Sequence, residues 1–252
     1  MVHFATIEVK IWLYFRKFRR ELDRYPFFAR QFRRHHPERP NPIFKKYKLI
    51  YLPAPKVACT SIKYALASLM FDRELEPFGR DKSLLIHKDV FIGVSLDMAA
   101  QPYQDYYKFA FVRNPWDRLV SCYNDKIMTP GLLTPRMIKL GFTEKMSFAA
   151  YIERVCSTPD EEADHHFGPQ NTLITYQGQL IPDFIGRFEK LLEDWTKLQA
   201  LLEPRLGRKL PDLPSVNQKD HPPYQTYYTP TLKSAVAERF RSDIELFDYQ
   251  FA

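Results

Sequence analysis

Apolar residues recur along this chain in two rhythms, and the points where one gives way to the other outline its elements. Two compact apolar runs, Lys48–Leu52 and Tyr106–Val112, have the length and density of strands buried in a parallel sheet. Each runs into a loop and then into a three-to-four periodicity. After the first, Pro53 and Pro55 make the loop, and Ser61–Phe71 carries Ile62, Ala65, Leu66, Leu69 and Met70 on one stripe. After the second come Arg113, then Asn114 as N-cap, Pro115 at the first helical position and Asp117 placed for a variant capping box. That helix continues through Leu119, Val120, Tyr123 and Ile127. Two strand–loop–helix units with further helices predict a three-layer α/β fold with a parallel sheet.

The pattern elsewhere is mostly helical. Residues 3–36 read as a helix or helix pair with Trp12, Phe15, Phe18 and Leu22 on one face, interrupted at Pro26. Pro37, Pro40 and Pro42 mark a linker, so the chain divides into a segment 1–47 and a domain 48–252. Ser83–Ile86 reads as a short strand ending at His87. Residues 129–170 are irregular apart from a helix at Ser147–Cys156. Phe184 to Leu202 includes an amphipathic helix with Phe188, Leu191, Leu192, Trp195, Leu198 and Leu202. Pro204–Pro223 is a long polar loop. Thr229 caps a last helix, with Pro230 at its first position and a stripe of Leu232, Val236, Phe240, Ile244 and Phe247.

Charge changes the picture at one end. Residues 1–48 carry 13 Lys/Arg against 4 Asp/Glu, and the rest 24 against 26, so the net charge of +7 belongs to the N-terminal segment. Such a segment suits an anionic membrane, a nucleic acid or an anionic polymer, and equally a solvated basic helix. Peripheral membrane contact through residues 3–36 is one reading; packing of those aromatics on the domain is the other. No nucleic-acid partner is expected. The run Ile11–Phe15 is too short to span a bilayer and its charges follow it, unlike a cleaved leader. Cys59, Cys122 and Cys156 have no metal-type spacing and an odd count, which fits a reducing compartment. The expected location is cytoplasmic or peripheral to a membrane, with Golgi residence only if an anchor precedes this sequence.

Both of these strands end in anion-competent residues ahead of a helix, and open α/β sheets bind ligands beyond the carboxyl ends of their strands. Helix N-termini add backbone donors and a favourable dipole. At the first end Lys56 supplies a mobile cation, and Thr60 and Ser61 supply hydroxyls at the expected N-cap. At the second, Arg113 offers a planar donor fork, with Ser121 two turns into the helix. Taken alone, Arg113 also suits an ion pair with Asp117. Two such ends on one sheet edge suit a ligand with two separated phosphates.

PKVACTSIK together with FVRNPWDRLVSCY resembles the paired 5′- and 3′-phosphosulfate-binding elements of sulfotransferases that use 3′-phosphoadenosine 5′-phosphosulfate. The VACTS variant is similar to the carbohydrate sulfotransferases of the chondroitin/HNK-1 type. PDFIGRFEKLLEDW and the ending YYTPTLKSAVAERFRSDIELFDY extend the resemblance over about residues 48–250. The resemblance implies a P-loop-like three-layer α/β/α fold around a central parallel sheet. It also implies in-line transfer of a sulfuryl group to a carbohydrate hydroxyl, with no metal. Lys56 would contact the 5′-phosphosulfate and stabilise the leaving oxygen. Ala58, Cys59, Thr60, Ser61 and Ile62 would line the cradle, and Arg113 and Ser121 would bind the 3′-phosphate. Related enzymes place a base histidine in the interval ahead of the 3′ element, where His87 lies. His165 and His166, in HHFGPQ with Gln170, fit acceptor binding or an alternative base. Glu189 would orient a donor-site residue, and Lys219 would approach phosphate from a loop over the nucleotide.

Two rivals remain. A P-loop kinase lacks its GxxxxGK[ST] motif here and has no acidic residue ending the second strand. A catalytically silent nucleotide- or glycan-binding protein would keep the same fold without transfer.

Overall fold

The computed structural model describes residues 41–71, 87, 91–214 and 222–252. Expectations for residues 3–36, Ser83–Ile86 and Lys219 lie outside the described residues. The strands are β1 (Asn41–Phe44), β2 (Leu49–Leu52), β3 (Gly93–Val94), β4 (Tyr107–Val112), β5 (Thr175–Tyr176), β6 (Gln179–Leu180) and β7 (Phe184–Arg187). The helices are α1 (Cys59–Phe71), α2 (Leu96–Ala100), α3 (Pro115–Cys122), α4 (Pro135–Lys139), α5 (Phe148–Ser157), α6 (Leu191–Leu206), α7 (Pro230–Arg239) and α8 (Arg241–Phe247). A π-helical turn, Tyr123–Ile127, continues α3.

The central sheet runs β3-β1-β2-β4-β7, and β5-β6 form a separate hairpin. β2, β4 and β7 are parallel, so their carboxyl ends share one edge. β1 is antiparallel to β2 and to β3. Alternation along the strands divides the core between two faces. Leu49, Tyr51, Phe109 and Phe111 pack with Ile62, Leu66 and Leu69 of α1 and with Trp195, Leu198 and Leu202 of α6. Ile50, Leu52, Ala110 and Val112 pack on the other face with Ala99 of α2 and Phe247 of α8. The expected three layers are therefore present. A second core joins α3, α5 and α7 through Trp116, Leu119, Tyr151, Ile152, Val155 and Val236.

Several expected boundaries shift for physical reasons. Pro42, expected in a linker, lies in β1. Proline removes a ladder donor, but the neighbouring Ile43 N–H carries a bond to the Ile92 carbonyl at 3.0 Å. Phe184–Arg187, expected as the approach to a helix, is the third parallel strand. α6 begins after it and runs through Pro204 to Leu206, with Gly207 at φ 70° closing it. Leu192, expected on the inner stripe of α6, is 72% exposed, and Met70 of α1 is 43% exposed. The last helix is two helices, broken at Phe240. Among the described residues no helix is long and apolar enough to cross a membrane.

Candidate active site

The loop after β2 is pinned before it reaches α1. Ala54 and Val57 are fully buried. Lys56 (φ 71°) and Ala58 (φ 58°) are both left-handed, a conformation that costs a non-glycine residue about 1–3 kcal/mol and persists only where the surroundings impose it. Two guanidinium groups impose it here. Arg118 Nε donates to the Pro55 carbonyl (3.1 Å), and Arg113 Nη1 donates to the Lys56 carbonyl (3.0 Å). Left-handed residues flanking Val57 are the kind of backbone from which anion nests are built. α1 starts earlier than expected. The Ala58 carbonyl accepts from Ile62 N at 3.1 Å, so Ala58 is the cap, and Thr60 and Ser61 lie within the first turn. The cradle positions Ala58, Cys59, Thr60, Ser61 and Ile62 are thus one continuous cap and first turn.

The second strand end is built as expected at its cap and differently beyond it. The Asn114 side chain accepts from Trp116 N, with Pro115 next. Asp117 turns back to Arg113, taking Nε at 2.7 Å and Nη2 at 2.9 Å. The guanidinium also lies 3.9 Å from the centroid of the Phe188 ring, just beyond β7. Arg113 therefore ties together the ends of β2, β4 and β7, and its fork forms the ion pair with Asp117. Ser121 is half-buried on the last turn of α3.

Gln170, expected to bind substrate, is instead a backbone bracket. Its Oε1 accepts from Arg113 N (2.9 Å) and its Nε2 donates to the Arg113 carbonyl (2.8 Å). Both ends of the amide are used and the residue is fully buried. Buried Asp243 holds the bracket by accepting from the backbone N–H groups of Gln170 and Asn171. Glu189 acts on the same element: Oε1 accepts from Asn114 N at 2.6 Å and Oε2 from the Tyr249 hydroxyl at 3.2 Å.

Lys56 reaches across this edge to the π-turn. Its Nζ lies 2.9 Å from Asp125 Oδ2, and Lys126 Nζ lies 3.5 Å from the same oxygen. All three side chains keep 16–21% exposure. His87 sits over the first turn of α1, with Nε2 3.0 Å from Thr60 Oγ1 and Nδ1 3.3 Å from Lys63 Nζ. Burial, then the charges of Lys63, His166 and Lys126, push its ring down to about 3. Burial also lowers the buried Lys63 ammonium. His166 donates Nδ1–H to Asp164 Oδ1 at 2.7 Å, and His165 Nδ1 lies 3.3 Å from the same oxygen. The two imidazoles lie against each other at a tilt of 39°, with centroids 3.8 Å apart. Burial lowers His166 to about 4 against the opposing effect of Asp164, and Lys126 and Lys56 add to the fall.

Asp164, His165 and His166 also have the ligand types for a cation. The short Nδ1–Oδ1 bond already pairs two of these groups with each other. Cys122 is buried, with its thiol raised by burial, as expected of a small core residue.

The locus combines Lys56, Lys63 and Lys126 with two neutral histidines, His87 and His166, and with two carboxylates, Asp125 facing Lys56 and Asp164 facing His166. Two residues were missed in the sequence, Arg118 and Asp164. Fully buried, Arg118 donates to Pro55 on one loop and to the carbonyls of His165 (2.9 Å) and Gly168 (2.7 Å) on another. Its charge on the inner side of a helix was the available signal. For Asp164 the signal was a carboxylate directly ahead of two histidines.

A model described as the sulfotransferase family matches residues 42–250. Neither the curated proteins nor the solved structures include a match to the chain.

Proposed function

The chain belongs to the sulfotransferase family, and on that premise we propose that it moves a sulfuryl group from 3′-phosphoadenosine 5′-phosphosulfate to a carbohydrate hydroxyl. The observation that carries this reading is the meeting of two anion-competent strand ends through one residue, Arg113, whose guanidinium holds the Lys56 carbonyl. The nest at Lys56–Ala58 and the first turn of α1 would take the 5′-phosphosulfate. Arg113 and Ser121 would face the 3′-phosphate, with Arg113 exchanging part of its bond to Asp117.

In the transfer, negative charge grows on the bridge oxygen as the sulfur–oxygen bond breaks. A donor aimed at that charge lowers the barrier. Lys56 suits the task because its present partner, Asp125, is partly exposed, and ion pairs in contact with water exchange at little cost. The acceptor hydroxyl must also lose a proton, and the histidines of this locus are the groups suited to take it.

A silent binding protein of the same fold is the second reading. It is favoured by the carboxylate partners that Lys56 and Arg113 already have. Transfer of radiolabelled sulfate across a glycan panel, without added magnesium, separates the two. Transfer that Lys56→Ala reduces by about 100-fold or more supports the enzyme. Tight binding of adenosine 3′,5′-bisphosphate with no transfer to any glycan supports the silent protein.

A further inference from the structure

We propose that His166 is the base that takes the acceptor's proton, held for that task by Asp164 and Thr134; this rests on the sulfotransfer reading above. The geometry fixes which ring nitrogen is available. Asp164 is almost completely buried, and both its oxygens are used. Oδ1 accepts from His166 Nδ1 (2.7 Å) and from the His166 backbone N–H (2.9 Å), while Oδ2 accepts from the Thr134 hydroxyl (2.6 Å). Burial alone would raise this carboxyl, but those bonds outweigh it and hold it well below the ordinary carboxylate range. An ionised carboxylate can only accept, so Nδ1 carries the proton and the lone pair lies on Nε2. The ring keeps 17% exposure of its side chain and feels the charges of Lys56 and Lys126, which places it at the same locus.

His87, expected as the base, has the opposite arrangement. The Lys63 ammonium has donors only, so Nδ1 of His87 must accept. The neutral ring then carries its proton on Nε2 and donates it to Thr60 Oγ1. Neither nitrogen is left to receive a proton from an acceptor. His87 is a positioning residue for the first turn of α1.

The step balances as follows. The acceptor O–H bond breaks and its proton passes to His166 Nε2. The freed oxygen forms a bond to sulfur as the bond from sulfur to the 5′-phosphate bridge oxygen breaks. That electron pair stays on the leaving adenosine 3′,5′-bisphosphate. The imidazolium, paired with the Asp164 carboxylate, then releases its proton to water.

Long-range proton–nitrogen correlation spectra of the histidine rings at pH 7, assigned with His166→Gln and His87→Gln, test the geometry without any acceptor. The expected result is a bare Nε2 on His166 and an Nε2–H on His87; a protonated Nε2 on His166 overturns the proposal. A kinetic arm follows bisphosphate release from 3′-phosphoadenosine 5′-phosphosulfate. His166→Gln is expected to slow release about 100-fold or more, in the range of general-base catalysis, with bisphosphate affinity within about twofold of the wild type. His87→Gln is expected instead to weaken bisphosphate binding, because Thr60 and Lys63 lose their partner. A His166→Gln variant with wild-type release overturns the assignment. A wild type that does not bind the bisphosphate refutes the donor reading instead, while the ring spectra still decide which nitrogen is bare.

Discussion

At the scale of single residues, two cations at one sheet edge have been given very different partners. Lys56 meets Asp125 where water still reaches, whereas Arg113 is clamped by Asp117, Phe188 and the Lys56 carbonyl with 7% of its side chain exposed. Their substitutions should therefore differ. Asp125→Asn spares Lys56 the exchange of one anion for another, so bisphosphate should bind about 2–5-fold tighter, the size of a partly exposed ion pair. Titration calorimetry checks this, and weaker binding would assign Asp125 another role. Arg113→Ala leaves Asp117 unpaired and releases the loop, so stability should fall by about 3 kcal/mol in urea unfolding. If Arg113 also meets the 3′-phosphate, the same variant loses more affinity for the bisphosphate than for the analogue lacking that group. The ion pair with Asp117 was legible from the sequence at spacing i, i+4. The bond to the Lys56 carbonyl was not, because it spans 57 residues.

At the scale of elements, β2, β4 and the Asn114–Pro115 cap were readable because each is decided locally, by burial on both faces or by the chemistry of a helix start. β1 was hidden by Pro42, whose local preference yields to its sheet neighbours. β7 was hidden because its apolar residues merge with the stripe of the helix that follows. Gly186 in that strand shows what places it: a Cβ there would lie 2.3 Å from the Phe111 ring, across the β4–β7 register. Gly186→Ala should cost about 1–3 kcal/mol through overpacking. Urea denaturation measures it, and Phe111→Leu in the same chain should recover part of the loss. The fate of Gln170 was unreadable for a related reason. A polar residue beside two histidines suggests a site, and only the fold shows that its amide brackets the backbone of Arg113.

At the scale of the whole molecule, two half-buried histidines held neutral make stability depend on pH. Both rings fall from 6.5, His87 to about 3 and His166 to about 4, so between those values the unfolded chain binds more protons than the folded one. Stability should rise with pH from about 4 to 6.5 and lose that contribution on acidification. Urea midpoints at pH 5 and pH 7 measure this, and the difference should shrink when both histidines are replaced by glutamine. The sequence placed Lys56 and Arg113 just beyond β2 and β4, which the structure shows as parallel neighbours joined there by the Arg113–Lys56 bond. It did not rank the histidines, since that depends on which partner holds each ring.

Arg118 joins two regions that belong to different ligands in this scheme. One guanidinium holds the Pro55 carbonyl beside the donor's place and the His165 and Gly168 carbonyls beside the acceptor's. A shift of either loop would disturb bonds that Arg118 shares with the other, so in this scheme occupancy of one site is expected to be felt at the other. By reciprocity, whatever factor the bound nucleotide lends to acceptor affinity, the bound acceptor must return to the nucleotide. A single buried side chain would then carry the coupling between the two substrates.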